Sequence, residues 1–255
     1  VIATEYSNQN SIKIFSFQAD NKANRTLWSV MAFHAGAINA GGFLACHRFV
    51  THTTGFATQL GYDIAAMKWQ DALGMLTVPL FFMAGAMISG YYVDRRVQLN
   101  LKPHFHSLFL ISTFFMGTII LLGNIGTFGA FNQEFDIASS YLLIALLCLA
   151  SGMQNAMTTS GSVSSVRTTH LTGHTTDLGI SLVKSLTIKD PERLKIERNK
   201  NQVRLLVIGA FILGSVVSTF LFLKFNYWGF SLPALISFTL YLTSKKDSSQ
   251  NARLS

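Results

Sequence analysis

The sequence predicts an all-α integral membrane protein: six spanning helices arranged as two inverted three-helix repeats, each with an additional short half-helix or re-entrant segment. Three observations lead there. Hydrophobic residues make up 49% of the 255 residues and charged residues only 13%, about half the ~25% usual in a soluble domain. The charges avoid six long runs, Leu27 to Cys46, Ala72 to Val93, Phe105 to Gln133, Ile137 to Val166, Leu205 to Leu223 and Phe225 to Ser244, each long enough for the ~20 residues that cross a hydrocarbon core. A polar phrase also occurs twice, THTTGFATQLG at residues 51 to 61 and THLTGHTTDLG at 169 to 179.

The repeat extends beyond that phrase. AGAINA (Ala35 to Ala40) precedes the first copy and SGMQNA (Ser151 to Ala156) the second, both fitting small-G-x-x-N-A. Each copy is followed by an apolar run with an internal glycine, FFMAGAMISG or FILGSVVS, and then by one more apolar run. Ordered matches of this kind indicate duplication. They divide the chain into a polar N-terminal tail (1–26), a first membrane repeat (27–131), a second membrane repeat (132–243) and a C-terminal tail (244–255).

Lys and Arg set the expected orientation. The N-terminal tail (Lys13, Lys22, Arg25), the connection DRRVQLNLK, the stretch KSLTIKDPERLKIERNKNQVR and the C-terminal tail are basic, whereas Thr127 to Asp136 holds two acids and no base. Six spans place every basic segment on the cytoplasmic side, with both termini there; eight spans would force a basic loop outward. Three spans per half make the halves opposite in orientation, the plan of many secondary transporters. The T-H-x-T-G segments are then half-helices entering from the two faces and meeting near the centre, since irregular backbone at that depth must be covered by protein or a watery cavity. The net charge of +8 is therefore a topology signal; no basic patch with interleaved aromatics points to nucleic acid.

The polar residues of the repeat are the candidate site: Asn39, His52, Thr54, Gly55, Gln59, Asn155, His170, Thr172, Gly173 and Asp177. Gly55 and Gly173 suit a helix start whose free N–H groups favour an anionic group, or close packing between helices. Asn39 and Asn155 read either as site residues or as amide bonds locking the two halves together. Asp177 reads as the costlier group at membrane depth and so as functional. His170 and His174 share a helix face, but their spacing with His52 and Asp177 matches no metal motif, so neither a metal nor any other cofactor is expected. His34, His47, His104 and His106 read as helix-end or interfacial residues, and Trp28, Trp69 and Trp228 as an aromatic belt. Cys46 and Cys148 form no disulfide framework and read as small hydrophobes. The N-terminal stretch lacks a signal-peptide pattern. With no hydrolase elbow, P-loop or paired-carboxylate site, no enzymatic activity is expected.

At G-x-x-N-A followed by T-H-x-T-G, from about Leu27 to Thr243, the chain resembles the YoaK-like family of uncharacterised bacterial inner-membrane proteins. Members carry G-x-x-D-A, then S-H-M-T-G-N, and in the second half Q-N-A and a second T-G segment. The resemblance implies a multi-pass inner-membrane protein. Asn39 stands where the family has Asp and Phe56 where it has Asn, so the first half is expected to lack a carboxylate for ion coupling. The leading expectation is a transporter or channel-like permease for a small polar or anionic solute. The alternative is a non-transporting accessory subunit of a membrane complex. The partners implied are the lipid bilayer and a second copy or another membrane protein.

Overall fold

A computed structural model describes residues 22–133, 137–161, 168–169 and 171–253. Every regular element among them is helical: α1 (Lys22–Cys46), α2 (Thr54–Ala65), α3 (Trp69–Tyr92), α4 (Asp94–Gln98), α5 (Phe105–Asn124), α6 (Ile137–Gly161), α7 (Leu171–Thr187), α8 (Pro191–Phe225), a 3-10 turn (Asn226–Phe230) and α9 (Ser231–Arg253). α9 thus continues well into the expected C-terminal tail.

Five helical stretches are long and apolar enough to cross a bilayer: Ala23–Cys46, Trp69–Gln98, Phe105–Asn124, Ala138–Ser160 and Pro191–Lys246. The last contains 56 residues and comprises α8, the 3-10 turn and α9. As one straight helix it would reach ~84 Å, nearly three times the ~30 Å hydrocarbon core. The chain breaks at Asn226, whose φ of 52° lies in the left-handed region that short amide side chains tolerate. α8 then packs on α1, and α9 on α5. The first four turns or so of α8 are charged, from Asp190, which caps the helix by accepting from the Glu192 N–H at 3.0 Å, to Arg204. This lengthens α8 beyond the expected run.

The main helix pairs join one half to the other. α1 packs chiefly on α8, and α3 on α6. Both pairs run parallel. Along α1 and α8, Arg25 Nη1 donates to Gln202 at 3.2 Å, Ser215 Oγ donates to the Gly36 carbonyl at 3.1 Å, and Gly41 lies against Phe222. Along α3 and α6, Thr77 and Tyr141 share a 2.7 Å hydrogen bond, Gly85 faces Leu149, and Ser160 donates to Asp94 at 3.0 Å.

The closest approaches in these pairs repeat one pattern. A methyl group built on Gly36 would strike the Phe211 carbonyl, and one on Gly214 the Phe33 carbonyl; likewise Gly152 meets the Phe82 carbonyl and Gly85 the Leu149 carbonyl. Gly36 and Gly152 are the glycines of the two G-x-x-N-A motifs, and Gly85 and Gly214 are those of the following apolar runs. The duplicated sequence therefore builds two copies of one interface, each drawing one helix from either half. Small residues let the backbones touch where no water drives association.

Two apolar clusters mark the ends of the bundle. One combines the end of α1 (Ala45, Cys46) with the start of α3 (Met75), the end of α5 (Ile119), the start of α6 (Leu143, Ile144) and the end of α8 (Phe222). The other combines the start of α1 (Leu27, Trp28) with Val93, the start of α5 (Phe105, Leu108), the end of α6 (Met157) and Val203 of α8. α1 and α6 are thus antiparallel. Trp28 belongs to this core, 2% exposed, and not to an interfacial belt; Trp69 and Trp228 are exposed. Cys46 and Cys148 are buried free thiols.

Candidate functional site

Each T-H-x-T-G segment is tied to its own half. After α1 the chain turns back, and the Thr51 hydroxyl and N–H donate to Asn39 Oδ1 at 3.0 and 3.4 Å. After α6 the Thr169 hydroxyl donates to Asn155 Oδ1 at 2.7 Å. The two asparagines occupy equivalent positions and do equivalent work: they pin the loop that launches the half-helix. Neither makes the bond between halves that the sequence suggested for them.

The half-helices themselves, α2 and α7, also repeat a register. Phe56 and Asp63 are the buried residues of α2, and His174 and Ser181 those of α7; each pair is separated by the 118 residues that relate Thr51 to Thr169. These faces pack on α3 and α8 respectively.

The half-helices do not meet at the centre. Phe56 belongs to the apolar cluster at one end of the bundle, and Leu171 packs against the cluster at the other. The reason is geometric: each half-helix follows the C-terminus of α1 or α6, and those helices are antiparallel. Thr54, Gly55, Thr172, Gly173 and Asp177 are exposed, and Gln59 and His52 are half-buried. Gly55 and Gly173 stand in the first turns of α2 and α7, as a helix start requires, yet a methyl group built on either meets nothing within 4 Å, so neither serves helix packing. Asp177, expected to be the costly buried carboxylate, faces outward. His52 stacks on Phe49 with ring centroids 5.7 Å apart. His170 lies outside the described residues. No group of three or more metal-capable His, Cys, Asp or Glu side chains occurs among the described residues.

The centre is held by residues that the sequence reading placed elsewhere or passed over. His34, taken for a helix-end residue, is buried in mid-α1 at 5% exposure. Its Nδ1 lies 2.7 Å from Gln154 Oε1 on α6, and its Nε2 lies 2.7 Å from Ser237 Oγ on α9. Ser237 lies 3.1 Å from Ser112 Oγ on α5. Gln154 Nε2 donates to the Met31 carbonyl at 2.7 Å and to Thr168 Oγ1 at 3.4 Å.

The direction of this chain follows from its fixed end. The Met31 carbonyl only accepts, so the Gln154 amide group faces it and Oε1 faces His34. Nδ1 of His34 must then carry the proton and donate. With a neutral ring, Nε2 accepts from the Ser237 hydroxyl, which in turn accepts from Ser112. A doubly protonated ring would make Nε2 a donor and reverse its bond to Ser237, freeing the Ser237 hydroxyl proton to donate elsewhere. Four helices from both halves are joined in this way. A cavity of about 10 Å3 adjoins the chain, lined by His34, Gln154 and Ser112 among Met31, Met153 and Met157, room for about one water.

The first half also holds a buried carboxylate that the sequence reading missed. Asp63 is 2% exposed, and its Oδ1 accepts from Gln59 Nε2 at 2.8 Å. Gln59 drew attention, whereas the aspartate one helical turn later carries the charge. Asp63 thus gives the first half a buried carboxylate at a position other than that of Asn39. In the second half the equivalent Ser181 donates to Glu197 of α8 at 2.6 Å. Glu197 also lies within 3.5 Å of Lys200 and 3.8 Å of Arg204.

Over residues 27–243 the chain matches a family described as a protein of unknown function, DUF1275. The chain belongs to the DUF1275 family. No curated protein and no solved structure matches it. The long apolar helices are those of a membrane protein, and its family has no assigned activity.

Proposed function

We propose that this DUF1275 protein is a six-pass, inverted-repeat permease of the bacterial inner membrane that carries a small polar or anionic solute and catalyses no reaction. The observation that carries the reading is the His34–Gln154–Ser237–Ser112 chain. A hydrogen-bonded polar path across four helices, in a bundle that faces lipid, is costly to maintain and by default marks a route for solute or proton.

The direction of the chain supports the inverted plan. α1, α5 and α8 run one way and α3 and α6 the other, with α9 returning after the Asn226 break. α2 and α7 then stand at opposite ends, with Asn39, His52, Thr54, Gly55 and Gln59 at one mouth and Asn155, Thr172, Gly173 and Asp177 at the other. DRRVQLNLK, the charged start of α8 and the end of α9 fall at the end where α1 begins, so the basic segments share one side. By the positive-inside rule that side is cytoplasmic. The small central cavity corresponds to a closed state, and passage requires one bundle to rock against the other.

The test is a flux screen in proteoliposomes with anionic and neutral solutes. His34→Ala and Gln154→Ala should lower the detected flux roughly tenfold or more, since each leaves buried polar partners unmatched, while the proteins remain monodisperse. Flux unchanged in both variants, and in His170→Ala and Asp177→Asn, would rule the permease out.

A second reading, an accessory subunit, draws on the outward faces of α2 and α7, where Gly55, Gly61, Gly173 and Gly179 meet nothing within 4 Å. A stoichiometric membrane-protein partner retained through mild-detergent purification would favour it.

A further inference from the structure

We infer that Asp63 forms a binding site for a small monovalent metal cation of sodium's size at the foot of α2. The site stands whether or not the protein moves a solute.

Three observations carry it. Asp63 is 2% exposed, and while Oδ1 accepts from Gln59, Oδ2 is fully buried and takes no hydrogen bond. A buried carboxylate oxygen left in this way is costly unless a positive partner reaches it. The charges around it also fail to balance. The element packed against α2 is α3, which contributes Asp71 in its first turn. The loop before α2 contributes Arg48, whose guanidinium feels both Asp63 and Asp71. Lys68, in the turn between α2 and α3, gives its backbone N–H to the Asp63 carbonyl at 2.8 Å, but its Nζ lies 6.0 Å over the Tyr62 ring. One guanidinium is thus shared by two carboxylates, and Asp63 Oδ2 keeps no hydrogen bond of its own. Finally, Asp63 lies in the last turn of α2, where the negative end of the helix dipole adds to the attraction for a cation.

The second half supplies an internal control. At the position equivalent to Asp63 stands Ser181, whose partner Glu197 is already matched by Lys200 and Arg204. Among the described residues, only the first copy keeps a buried carboxylate oxygen without a hydrogen bond.

The test uses the full chain in detergent. Its melting temperature is followed in increasing NaCl at pH 8, with choline chloride holding ionic strength constant, and from pH 8 to pH 5 in choline chloride alone. Binding at Asp63 should raise the melting temperature by roughly 5 °C at saturation, and Asp63→Asn should abolish the rise. A rise with sodium that is absent from the choline series supports the site. A wild type that does not respond to sodium, or responds to acid alone, or an Asp63→Asn variant that responds to sodium as the wild type does, overturns it. Should Asp63→Asn fail to fold, labelling of wild-type Asp63 by dicyclohexylcarbodiimide, mapped by peptide mass, decides. Labelling that falls with sodium supports the site, and labelling independent of sodium overturns it.

Discussion

α2 and α7 are copies of one element that has kept its backbone task and changed its chemistry. Both start just after a threonine held by an asparagine, Thr51 on Asn39 and Thr169 on Asn155. Both bury the same two register positions. Yet one copy places an aspartate there with an unmatched oxygen, and the other a serine bonded to a paired glutamate. Features that recur in both halves hold the fold; features that differ mark where the halves took on separate roles. The central chain obeys the same division, because His34 and Gln154 stand beside the repeated G-x-x-N-A glycines without having counterparts of their own type.

The comparison breaks most severely at the repeated glycine contacts. Gly36→Ala and Gly152→Ala each drive a methyl group into a backbone carbonyl on the neighbouring helix and should cost about 3 kcal/mol, read as a fall in melting temperature and yield. Two unequal effects would mean that the interfaces are not true copies. Next come the loop anchors. Asn39→Ala should cost about 1–2 kcal/mol and Asn155→Ala somewhat less, because Asn39 takes two bonds and is the more deeply buried; each leaves a threonine donor without its acceptor. Smallest are Gly55→Ala and Gly173→Ala, which meet open space. They should be neutral or stabilising by up to ~1 kcal/mol from helix propensity, and a loss of flux without loss of stability in either would place that face on the proposed transport route.

Much of this architecture is legible in the sequence, because lipid imposes simple rules. Runs without charge report the spans, and the repeated order of motifs reports the duplication. The glycines of G-x-x-N-A and of the following runs are visible as letters, although only the structure pairs them across halves. What escapes is side-chain direction. An uncharged His34 in an apolar run carries no sign of being central, since the same letter suits an interface. Asp177 and Asp63 are each a single acid in a polar phrase or just beyond one, and nothing in the letters says which of the two a neighbouring helix covers. The meeting of the half-helices was inferred from their inverted order alone, and the antiparallel course of α1 and α6 carries them to opposite ends instead.

The interleaving of α1 with α8 and of α3 with α6 has a consequence for how such a chain is assembled. Neither end of the sequence owns the surface that its glycines are shaped to receive, so a ribosome must deliver nearly the whole polypeptide before the first helix finds its mate.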